Sequence, residues 1–428
     1  MLHKRKTTFW ISLGIALLWL GISLHFAALW GRGLTDRVPL PYTVAVITGI
    51  ALVPGYLMCA MTTANLMVRD SAPAGSKVDA PITVLICARN EEKNIYRAIR
   101  CIAEQTYKGR ITILCVDNGS QDGTKAEILR AQRELKGSAR KIKMIFCETA
   151  GKTYALNAGL QLVETEYFIT VDADTFLDYR AVERIMTAIV RNQAACAAGN
   201  LLAAQGKTWV QKMQVYDYLL SIAAVKRYQG NLGSTLVAQG AFSAYETAAV
   251  KATGGWQGSI GEDIVLTYRL LAAGRRSIYV PEAVGYTTVP ATLRGLVRQR
   301  MRWARGMLEG LRAVAPWKQH SFFTGYFETL CASTILLDLA YVFGFMAGVA
   351  LLFFGLAWFV GWITLLLIPQ GILVFLGSYR LQSKVDAVQK NNSLVGLICF
   401  TLVFQSIQSV SSLMGYGQAL VKAQVKWK

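Results

Sequence analysis

The segment Asp172-Ala173-Asp174 carries two carboxylates that could bind a divalent cation. Alternate residues of an extended segment share a face, so both carboxylates can point to the same side. Hard oxygen ligands suit Mg²⁺ or Mn²⁺, and such an ion usually keeps some waters and bridges to phosphates. An isolated D-x-D segment is more typical of a helix cap or a solvated turn. Its position directly after a buried apolar run is what favours a metal site here.

Two further segments combine charge with a predicted helix start. A lysine at a helix N-terminus favours a diphosphate, although an isolated Gly151-Lys152 pair is more simply a surface lysine. The acids of Gly261-Glu262-Asp263 could be mere dipole partners of the following helix. Crowded in a cleft, however, they would raise one another's pKa, and one would become a better general base for a sugar hydroxyl. Neither G-x-G-x-x-G nor the Walker spacing is present, which disfavours dinucleotide and P-loop sites.

The segment 294–312 combines many arginines with an apolar helical face. A basic amphipathic helix lying on the inner leaflet accounts for Arg298 and Arg305. On a different side, arginine could bind phosphates bidentately, and tryptophan could offer a flat face to a sugar ring. The side chains that could gather there are Gln299, Arg302 and Trp303.

Short β-branched runs alternate with amphipathic helical patterns between residues 81 and 290, at roughly 30-residue spacing. The predicted strands are Ile82–Cys87, Ile111–Val116, Ile142–Cys147 and Tyr167–Val171, and the predicted helices are Glu92–Gln105, Asp122–Leu135 and Thr153–Val163. This alternation predicts an α/β domain with an open, mostly parallel sheet and helices on both faces. Ligands bind beyond the carboxyl ends of such strands. The four polar clusters that follow these strands are Ala88–Glu92, Asp117–Thr124, Glu148–Lys152 and Asp172–Asp174.

The composition predicts membrane spans, because 53% of the 428 residues are hydrophobic and the mean hydropathy is +0.35. Phe9–Trp30 and Tyr42–Met61 each have the length of one span. The basic residues Lys4-Arg5-Lys6 should keep the N-terminus inside. A cleaved signal peptide is disfavoured, because the first run is too long and a second span follows it. Thr329–Leu376 is long enough for two spans with a turn near Gly355 or Gly361, and Ser393–Gly417 for a third.

Two basic segments flank the last of these spans, and both favour the cytoplasmic side. They are the loop with Arg380, Lys384 and Lys390 and the tail with Lys422, Lys426 and Lys428. If all five predicted spans cross the membrane fully, one of these two basic segments must lie outside. Either a span is re-entrant or interfacial, or the tail is an exception to the positive-inside rule.

The net charge of +19 suits an anionic partner, which could be nucleic acid, the inner leaflet or a phosphate-bearing substrate. The predicted spans favour membrane lipids and a phosphate-bearing substrate, and we expect no nucleic-acid partner. The eight cysteines form no C-x-x-C pair and are expected to be reduced core residues. The three histidines are far apart in the sequence, which disfavours a histidine-based metal site.

Taken together, these residues resemble the family 2 inverting glycosyltransferases, in the branch of membrane synthases for cellulose, chitin, hyaluronan and poly-N-acetylglucosamine. The resemblance covers about residues 81–313. The motifs that carry it, in order, are Asn90-Glu91, Asp117, Lys152, Asp172-Ala173-Asp174, Glu262-Asp263 and Gln299-Arg300-Met301-Arg302-Trp303. Residues 211–227 and 290–296 look most similar to the poly-N-acetylglucosamine synthases. The resemblance implies a glycosyltransferase-A-like, doubly wound domain inserted between transmembrane helices, with amphipathic interface helices.

The resemblance also implies a role for each motif. The residues implied to bind a UDP-sugar are Ala88, Asn90, Glu91, Asp117, Lys152, Asp172 and Arg302. Those implied to hold Mg²⁺ or Mn²⁺ are Asp172 and Asp174, and the implied catalytic acids are Asp263, as the base, and Glu262. The residues implied to contact the acceptor are Gln239, Gly240, Gln299 and Trp303. Two departures leave the sugar open: the 239–242 loop lacks a central cysteine or serine, and Asn118 replaces the second acid of the uracil cluster.

The implied activity is processive polymerisation of a UDP-sugar into a growing polysaccharide that passes through the membrane. The resemblance to poly-N-acetylglucosamine synthases favours UDP-N-acetylglucosamine as the donor. The expected regions are two transmembrane helices in 1–64, a linker in 65–80, a cytoplasmic catalytic domain in 81–290, interface helices in 291–325 and about three transmembrane helices in 326–428. The protein would be a multi-pass protein of the inner or plasma membrane. Whether it needs a small accessory membrane subunit stays open.

Two other classes of function remain as alternatives. A non-processive enzyme could glycosylate a lipid, as dolichyl-phosphate or ceramide glycosyltransferases do, although the 299–303 motif and the C-terminal spans favour a polymer. A non-enzymatic transporter or scaffold with a degenerate domain is disfavoured, because the acids expected at the metal and base positions are all present.

Overall fold

In the computed structural model, the described residues are 2–68, 78–135, 140–356, 362–385, 387–388 and 393–421. Several features discussed above lie outside these ranges: residues 69–77 of the expected linker 65–80, Gly361, Lys390 and the tail lysines 422, 426 and 428. The helices in chain order are α1 (Leu2–Thr35), α2 (Leu40–Ile47), α3 (Val53–Met67), α4 (Ile95–Ala103), α5 (Thr124–Glu134), α6 (Lys152–Gln161), α7 (Ala181–Asn192), α8 (Trp209–Tyr216), α9 (Ala223–Gly230), α10 (Thr247–Ala252), α11 (Glu262–Ala272), α12 (Leu293–Ala313), α13 (Phe322–Ala340), α14 (Ala347–Leu352), α15 (Trp362–Gln382), α16 (Leu394–Leu402) and α17 (Phe404–Leu420).

Eight strands of the described chain form one sheet in the order β3-β2-β1-β4-β7-β6-β8-β5. They are β1 (Ile82–Ala88), β2 (Ile111–Asp117), β3 (Arg140–Phe146), β4 (Tyr167–Asp172), β5 (Thr175–Leu177), β6 (Cys196–Ala203), β7 (Phe242–Glu246) and β8 (Ser277–Thr287). Strands β1 to β4 are mutually parallel, as predicted. The other half is mixed, because β7 runs antiparallel to both β4 and β6, and β5 runs antiparallel to β8. The pair β6–β8 is parallel, so four of the seven neighbouring pairs are parallel; the prediction of a mostly parallel sheet holds throughout the first half and for this one pair in the second.

Helices cover both faces of the sheet, as the alternating pattern predicted. Along β1, Val84 and Ile86 point into a core shared with α4, α5 and α7, whereas Leu85 and Cys87 point into a core shared with α6 and α11. Every residue of β1 is buried, which is the pattern of a parallel strand covered on both faces. The predicted strands and helices of this half are confirmed to within three residues at each end.

Three described helices are long and apolar enough to cross a membrane: His3–Thr35, Leu40–Met67 and Phe322–Leu352. The second and third are each continued through a π-helical turn, at Thr48–Leu52 and Tyr341–Met346. A turn follows at residues 353–356, where Gly355 adopts a φ of +75°, and this confirms the tight turn expected near that glycine. The chain thus has the apolar helices of a membrane-associated protein.

The segment expected to form the last span is bent. Helices α16 and α17 meet at 50°, the geometry of a broken span or a re-entrant segment. Helix α17 packs tightly on α12, since a Cβ added to Gly415 would lie 2.4 Å from the carbonyl oxygen of Met301. In the same way, a Cβ on Gly396 of α16 would lie 2.6 Å from the carbonyl oxygen of Lys212 in α8. Both helices are therefore anchored to helices that adjoin the sheet domain.

Candidate functional site

Lys152, at the start of α6, lies among acids drawn from two other elements. Its Nζ atom is 2.9 Å from Oδ1 of Asp172, at the end of β4, and 3.4 Å from Oε1 of Glu262, at the start of α11. Burial alone would lower the pKa of Lys152, but the charges of Asp172 and Glu262 reverse this and raise it well above its usual range. The lysine is therefore a permanently charged cation. It lies at the carboxyl ends of the strands, where the sequence pattern predicted the polar clusters to meet.

The acids around Lys152 are crowded enough to change their own protonation. Burial raises the pKa of Asp174 to about 7, and the charges of Asp172 and Glu91 add to this effect. Burial likewise raises the pKa of Glu262 to about 7, although Lys152 opposes the rise and Asp263 adds to it. Such crowding of carboxylates in one cleft is typical of functional sites.

Asp263 bridges α11 and the 239–242 loop. Its Oδ2 atom accepts a hydrogen bond from the backbone N–H of Gly240 at 3.2 Å, and Oδ1 accepts one from the N–H of Ile264 at 2.9 Å. The same loop reaches β4, because the N–H of Asp172 donates to the carbonyl oxygen of Ala241 at 3.2 Å. The expected base, the expected acceptor loop and the D-x-D segment thus share one edge of the sheet.

The first two polar clusters interlock through short hydrogen bonds. The N–H of Asn90 donates to Oγ of Ser120 at 3.0 Å, and Oδ1 of Asn90 accepts from the N–H of Gln121 at 2.9 Å. Oδ1 of Asp117 accepts from the N–H of Ser120 at 3.1 Å. Asn90 adopts a φ of +58°, a left-handed conformation that asparagine tolerates better than most residues. The expected uracil-binding residues therefore form a single preformed surface.

Asn118 has a role that the sequence did not reveal. Its Nδ2 atom donates to the carbonyl oxygens of Cys147 and Thr149, at 3.1 and 2.7 Å, and its Oδ1 atom accepts from the N–H of Gly151 at 2.8 Å. The side chain is almost completely buried, with 1% exposed. The amide therefore fixes the loop that delivers Lys152. An aspartate at this position could not donate either of the first two bonds.

The 299–303 motif divides into a buried and an exposed part. Arg300 is buried and forms an ion pair of 2.5 Å with the buried Asp217, and its guanidinium lies 4.3 Å from the ring centroid of Trp303. Trp303 is 38% exposed, and Arg302 is exposed. Arg302 makes no hydrogen bond or ion pair with other described residues. From the sequence, Arg300 is part of its motif without an assigned role, and Asp217 is not identified; together the two residues support Trp303 from its buried side.

Tyr218 links Trp303 to the acid cluster. Its ring centroid is 6.2 Å from that of Trp303. Burial raises the pKa of Tyr218, Arg300 opposes the rise, and the carboxylates of Asp174 and Asp172 add to it. Because charge effects weaken with distance, Tyr218 lies near Asp217, Asp174 and Asp172 as well as near Trp303. The structure thus brings Trp303 towards the site but does not place Arg302 in contact with the acids.

Two further observations concern polar groups near these residues. The amide Oε1 atoms of Gln239 and Gln299 are buried with no hydrogen-bond partner among the described residues. Lys226 of α9 is partly buried, which lowers its pKa to about 7, although the nearby charge of Asp263 opposes the shift. Within the described chain, no group of three or more histidine, cysteine, aspartate or glutamate residues is arranged to hold a metal ion.

Comparison with known proteins assigns the family. The family described as "Glycosyltransferase like family 2" matches residues 80–306, more than half of the chain. The chain belongs to this glycosyltransferase family. The match covers the interlocked polar clusters, the acid cluster around Lys152 and the 299–303 motif, so the resemblance inferred from these motifs is confirmed.

The curated relatives of this family 2 chain include two acting on N-acetylglucosamine by name. A poly-beta-1,6-N-acetyl-D-glucosamine synthase from Staphylococcus aureus is 30% identical over 227 residues, 53% of this chain and 54% of the relative. An N-acetylglucosaminyltransferase from Rhizobium meliloti is 28% identical over 235 residues, 52% of this chain and 55% of the relative. The alignments thus span about half the length of these relatives.

Among solved structures, the mannosyltransferase PcManGT from Pyrobaculum calidifontis, in complex with GDP-Man and Mn²⁺, has a TM-score of 0.59 at 16% identity. The similarity covers 90% of this chain and 99% of that one. It establishes the shared fold, and the glycosyltransferase-A-like fold expected for this family 2 chain is confirmed.

Proposed function

We propose that this protein is a processive, inverting β-glycosyltransferase that polymerises UDP-N-acetylglucosamine into a polysaccharide. The observation that carries the proposal is the convergence of Lys152, Asp172, Glu262 and Asp263 at one edge of the sheet. The named activities of the two curated relatives support the choice of sugar.

The donor would lie across the interlocked clusters at the ends of β1 and β2. Asn90, Glu91 and Asp117, with Ala88 at the entrance, would hold the uracil. Lys152 would contact the diphosphate. Arg302 is exposed on α12, and its long side chain would reach the diphosphate from there. Positive charge from Lys152 and Arg302 on the diphosphate would stabilise its departure as a leaving group.

The transfer step would be a single displacement. Asp263 would take the proton from an acceptor hydroxyl as its oxygen attacks the anomeric carbon, while the bond from that carbon to the UDP oxygen breaks on the opposite face. Attack from the opposite face converts an α-linked donor into a β-linked product. Glu262, whose raised pKa keeps part of it protonated near neutral pH, would limit the negative charge beside the base.

The acid cluster fits a divalent cation. Burial raises the pKa of Asp174, the charges of Asp172 and Glu91 add to the rise, and Lys152 opposes it only in part, so a divalent cation would favour the ionised form of this buried carboxylate. Two carboxylates suffice for Mg²⁺ or Mn²⁺, because substrate phosphates and waters complete the coordination. We propose Asp172 and Asp174 as its ligands. When bound, the ion would supply charge neutralisation at the diphosphate.

The acceptor would enter between the 239–242 loop and α12. The partnerless amide oxygens of Gln239 and Gln299 could accept hydrogen bonds from sugar hydroxyls, which would satisfy these buried groups. Gly240 leaves room beside Lys152, since a Cβ there would lie 3.1 Å from Nζ. Trp303 would stack on the terminal sugar and keep the polymer engaged.

The proposed arrangement keeps the catalytic domain, residues 81–290, on the cytoplasmic side of the membrane. Residues 1–64 would cross the membrane twice, residues 65–80 would link them to the catalytic domain, and residues 291–325 would lie at the membrane interface. In 326–428, α13–α14 would cross the membrane, and α15, whose 21 residues suffice for one span, would cross back. The bent α16–α17 pair would stay at the inner surface with the helices it packs on. An interfacial α16–α17 pair would place both basic C-terminal segments inside, as the positive-inside rule requires.

Replacing Trp303 with alanine is expected to shorten the polymer and to reduce sugar transfer by about tenfold, because an aromatic stacking surface is lost. Product length on a sizing column and the rate of UDP release measure the two effects. Trp317 is 83% exposed and is the matched control, so Trp317→Ala should leave both unchanged. A normal product from Trp303→Ala would leave only a membrane-surface role for this residue.

Replacing Asn118 with aspartate is expected to raise the KM for the UDP-sugar by about tenfold, because two buried hydrogen bonds are lost and the loop that carries Lys152 loosens. Steady-state UDP release measures the KM. Asn192→Asp is the control, since Asn192 also donates to a backbone carbonyl, that of Ala188, but at the end of α7. An unchanged KM in Asn118→Asp would show that the loop is held by other contacts.

Product size tests the proposal against the lipid alternative. Purified protein supplied with UDP-N-acetylglucosamine should yield a polymer that elutes early from a sizing column and is resistant to lipid extraction. A product consisting of one sugar attached to a lipid would eliminate the polymerising activity and leave a non-processive transferase.

A further inference from the structure

The loop that precedes the proposed base is held by a carboxylate from another helix. Oε2 of Glu309, on α12, accepts hydrogen bonds from the backbone N–H groups of Ile260 and Gly261, at 2.7 and 3.4 Å. Helix α11 begins at the next residue, Glu262, and Asp263 follows. The first N–H groups of a helix lack intrahelical partners and favour negative charge. Glu309, on a different helix of the same chain, therefore supplies negative charge next to the N-terminus of α11.

The carboxylate of Glu309 is itself oriented. Nε of Arg305 donates to its Oε1 atom at 2.9 Å, and the two side chains are only 12% and 19% exposed. One oxygen of Glu309 thus faces Arg305 and the other faces the 260–261 backbone. Charge-assisted hydrogen bonds of this kind are stronger than neutral ones, and partial burial protects them from screening. The basic amphipathic pattern of this helix suggested that Arg305 faces the lipid surface. In the structure, the charge of Arg305 is directed at Glu309.

The two helices touch at backbone distance beside this contact. A Cβ added to Gly261 would lie 2.5 Å from Cα of Gly306, and one added to Gly310 would lie 2.7 Å from Cγ2 of Ile264. Helices in such close contact move together, because no flexible side chain separates them. A shift of α12 is therefore transmitted to the start of α11 and to Asp263.

We propose that Glu309 is a positioning residue, which sets the direction of Asp263 by tying the start of α11 to α12. The inference rests on the proposed function, in which Asp263 is the base and α12 carries the acceptor-binding residues. Since one helix carries both Glu309 and Trp303, the seating of an acceptor on α12 and the aim of the base are mechanically linked. Glu309 contacts Ile260, Gly261 and Arg305 and none of the proposed donor-binding residues, which lie at the ends of β1, β2 and β4 and on α6, with Arg302 on α12 itself.

The test compares Glu309→Ala and Glu309→Gln with the wild type and with Glu134→Gln. Glu134 of α5 forms the same type of i,i+4 pair, with Arg130, far from the acid cluster, and serves as the matched control. Glu309→Ala should lower kcat for UDP release by about 10- to 100-fold, the range expected when a reacting group is misdirected. The donor KM and the Kd for UDP should stay within about twofold of wild type, because donor contacts are untouched.

The kcat of Glu309→Gln should lie between those of the wild type and Glu309→Ala, since the glutamine amide oxygen can still accept a hydrogen bond from the Ile260 N–H. Hydrogen exchange provides a second readout, in which the amides of 260–264 should exchange faster in Glu309→Ala by about tenfold or more. An unchanged kcat, or a parallel loss of kcat and UDP affinity, would overturn the positioning role. A wild-type protein that releases no UDP would overturn the proposed function and this role together, whereas an active wild type with an unaffected Glu309→Ala would overturn the role of Glu309 alone.

Discussion

Replacing Asp263 with asparagine is expected to abolish sugar transfer while UDP still binds. The carboxamide keeps one oxygen that can accept the Gly240 N–H and loses only the bond from the N–H of the adjacent Ile264, so the tie between α11 and the 239–242 loop should persist. It cannot take a proton from an acceptor hydroxyl, and loss of a general base typically costs about 10²- to 10⁴-fold in rate. UDP affinity should be unchanged, because the proposed uracil and diphosphate contacts lie on other elements.

The rate of UDP release and the amount of polymer measure the chemical step, and titration calorimetry measures UDP binding. Asp79→Asn is a suitable control, since Asp79 is exposed just before β1, at the end of the sheet opposite the acid cluster. Retained polymer synthesis by Asp263→Asn would remove Asp263 from the role of base. A loss of UDP binding together with activity would indicate that the carboxylate holds the site together and does not act on the acceptor.

Replacing Asp174 with alanine is expected to eliminate metal-dependent transfer, with a loss of about 100-fold or more in the presence of Mg²⁺ or Mn²⁺. In the wild type, Mn²⁺ with UDP should raise the Tm, because a ligand that binds only the folded state stabilises it. In Asp174→Ala, the part of this rise that depends on Mn²⁺ should disappear, and the rise caused by UDP alone should remain. Asp36→Ala, at an exposed position between α1 and α2, is the control.

The same variant has an expected effect on the metal-free protein. The pKa of Asp174 is raised from 3.8 to about 7, so the folded chain binds this proton more tightly than the unfolded chain does. The stability that the group contributes is therefore lost as pH rises from about 4 to about 7. Removing the carboxylate should reduce that loss, as measured by the Tm between pH 5 and 8. An unchanged metal dependence together with an unchanged pH profile would exclude Asp174 from the site.

The parallel half of the fold could be predicted because its sequence follows simple rules. Strands such as Ile111–Asp117 are short, β-branched and buried, and each ends in a polar cluster. Parallel strands align those ends, so the meeting of Lys152, Asp172 and Glu262 followed from the strand pattern and the family resemblance together. The length of the uninterrupted apolar runs also located the long apolar helices, because the thickness of a bilayer sets the length of a span.

The second half of the sheet was harder to predict. Strand Cys196–Ala203 consists largely of alanine, glycine and leucine, and it lacks the β-branched residues that mark strands. It is identified as a strand by its pairing with β7 and β8, which is a tertiary contact invisible in a local pattern. The antiparallel pairings of β5 and β7 depend on that same long-range arrangement.

The supporting residues of the site could not be predicted for a similar reason. Asp217 and Arg300 are 83 positions apart, and Glu309 lies 48 and 49 positions from the amides it holds. Nothing in the local sequence distinguishes Glu309 from an ordinary i,i+4 partner of Arg305. Asn118 was recognised as a departure from the family, but its three bonds to the 147–151 loop required coordinates.

The most direct test of a shared nucleotide-sugar and metal site is UDP release by the purified chain, screened against UDP-sugars with Mg²⁺ or Mn²⁺. We expect saturable release with UDP-N-acetylglucosamine that requires the metal and is matched by sugar incorporated into polymer. No UDP release with any UDP-sugar in either metal would contradict the assignment of the acid cluster around Lys152 as a catalytic site.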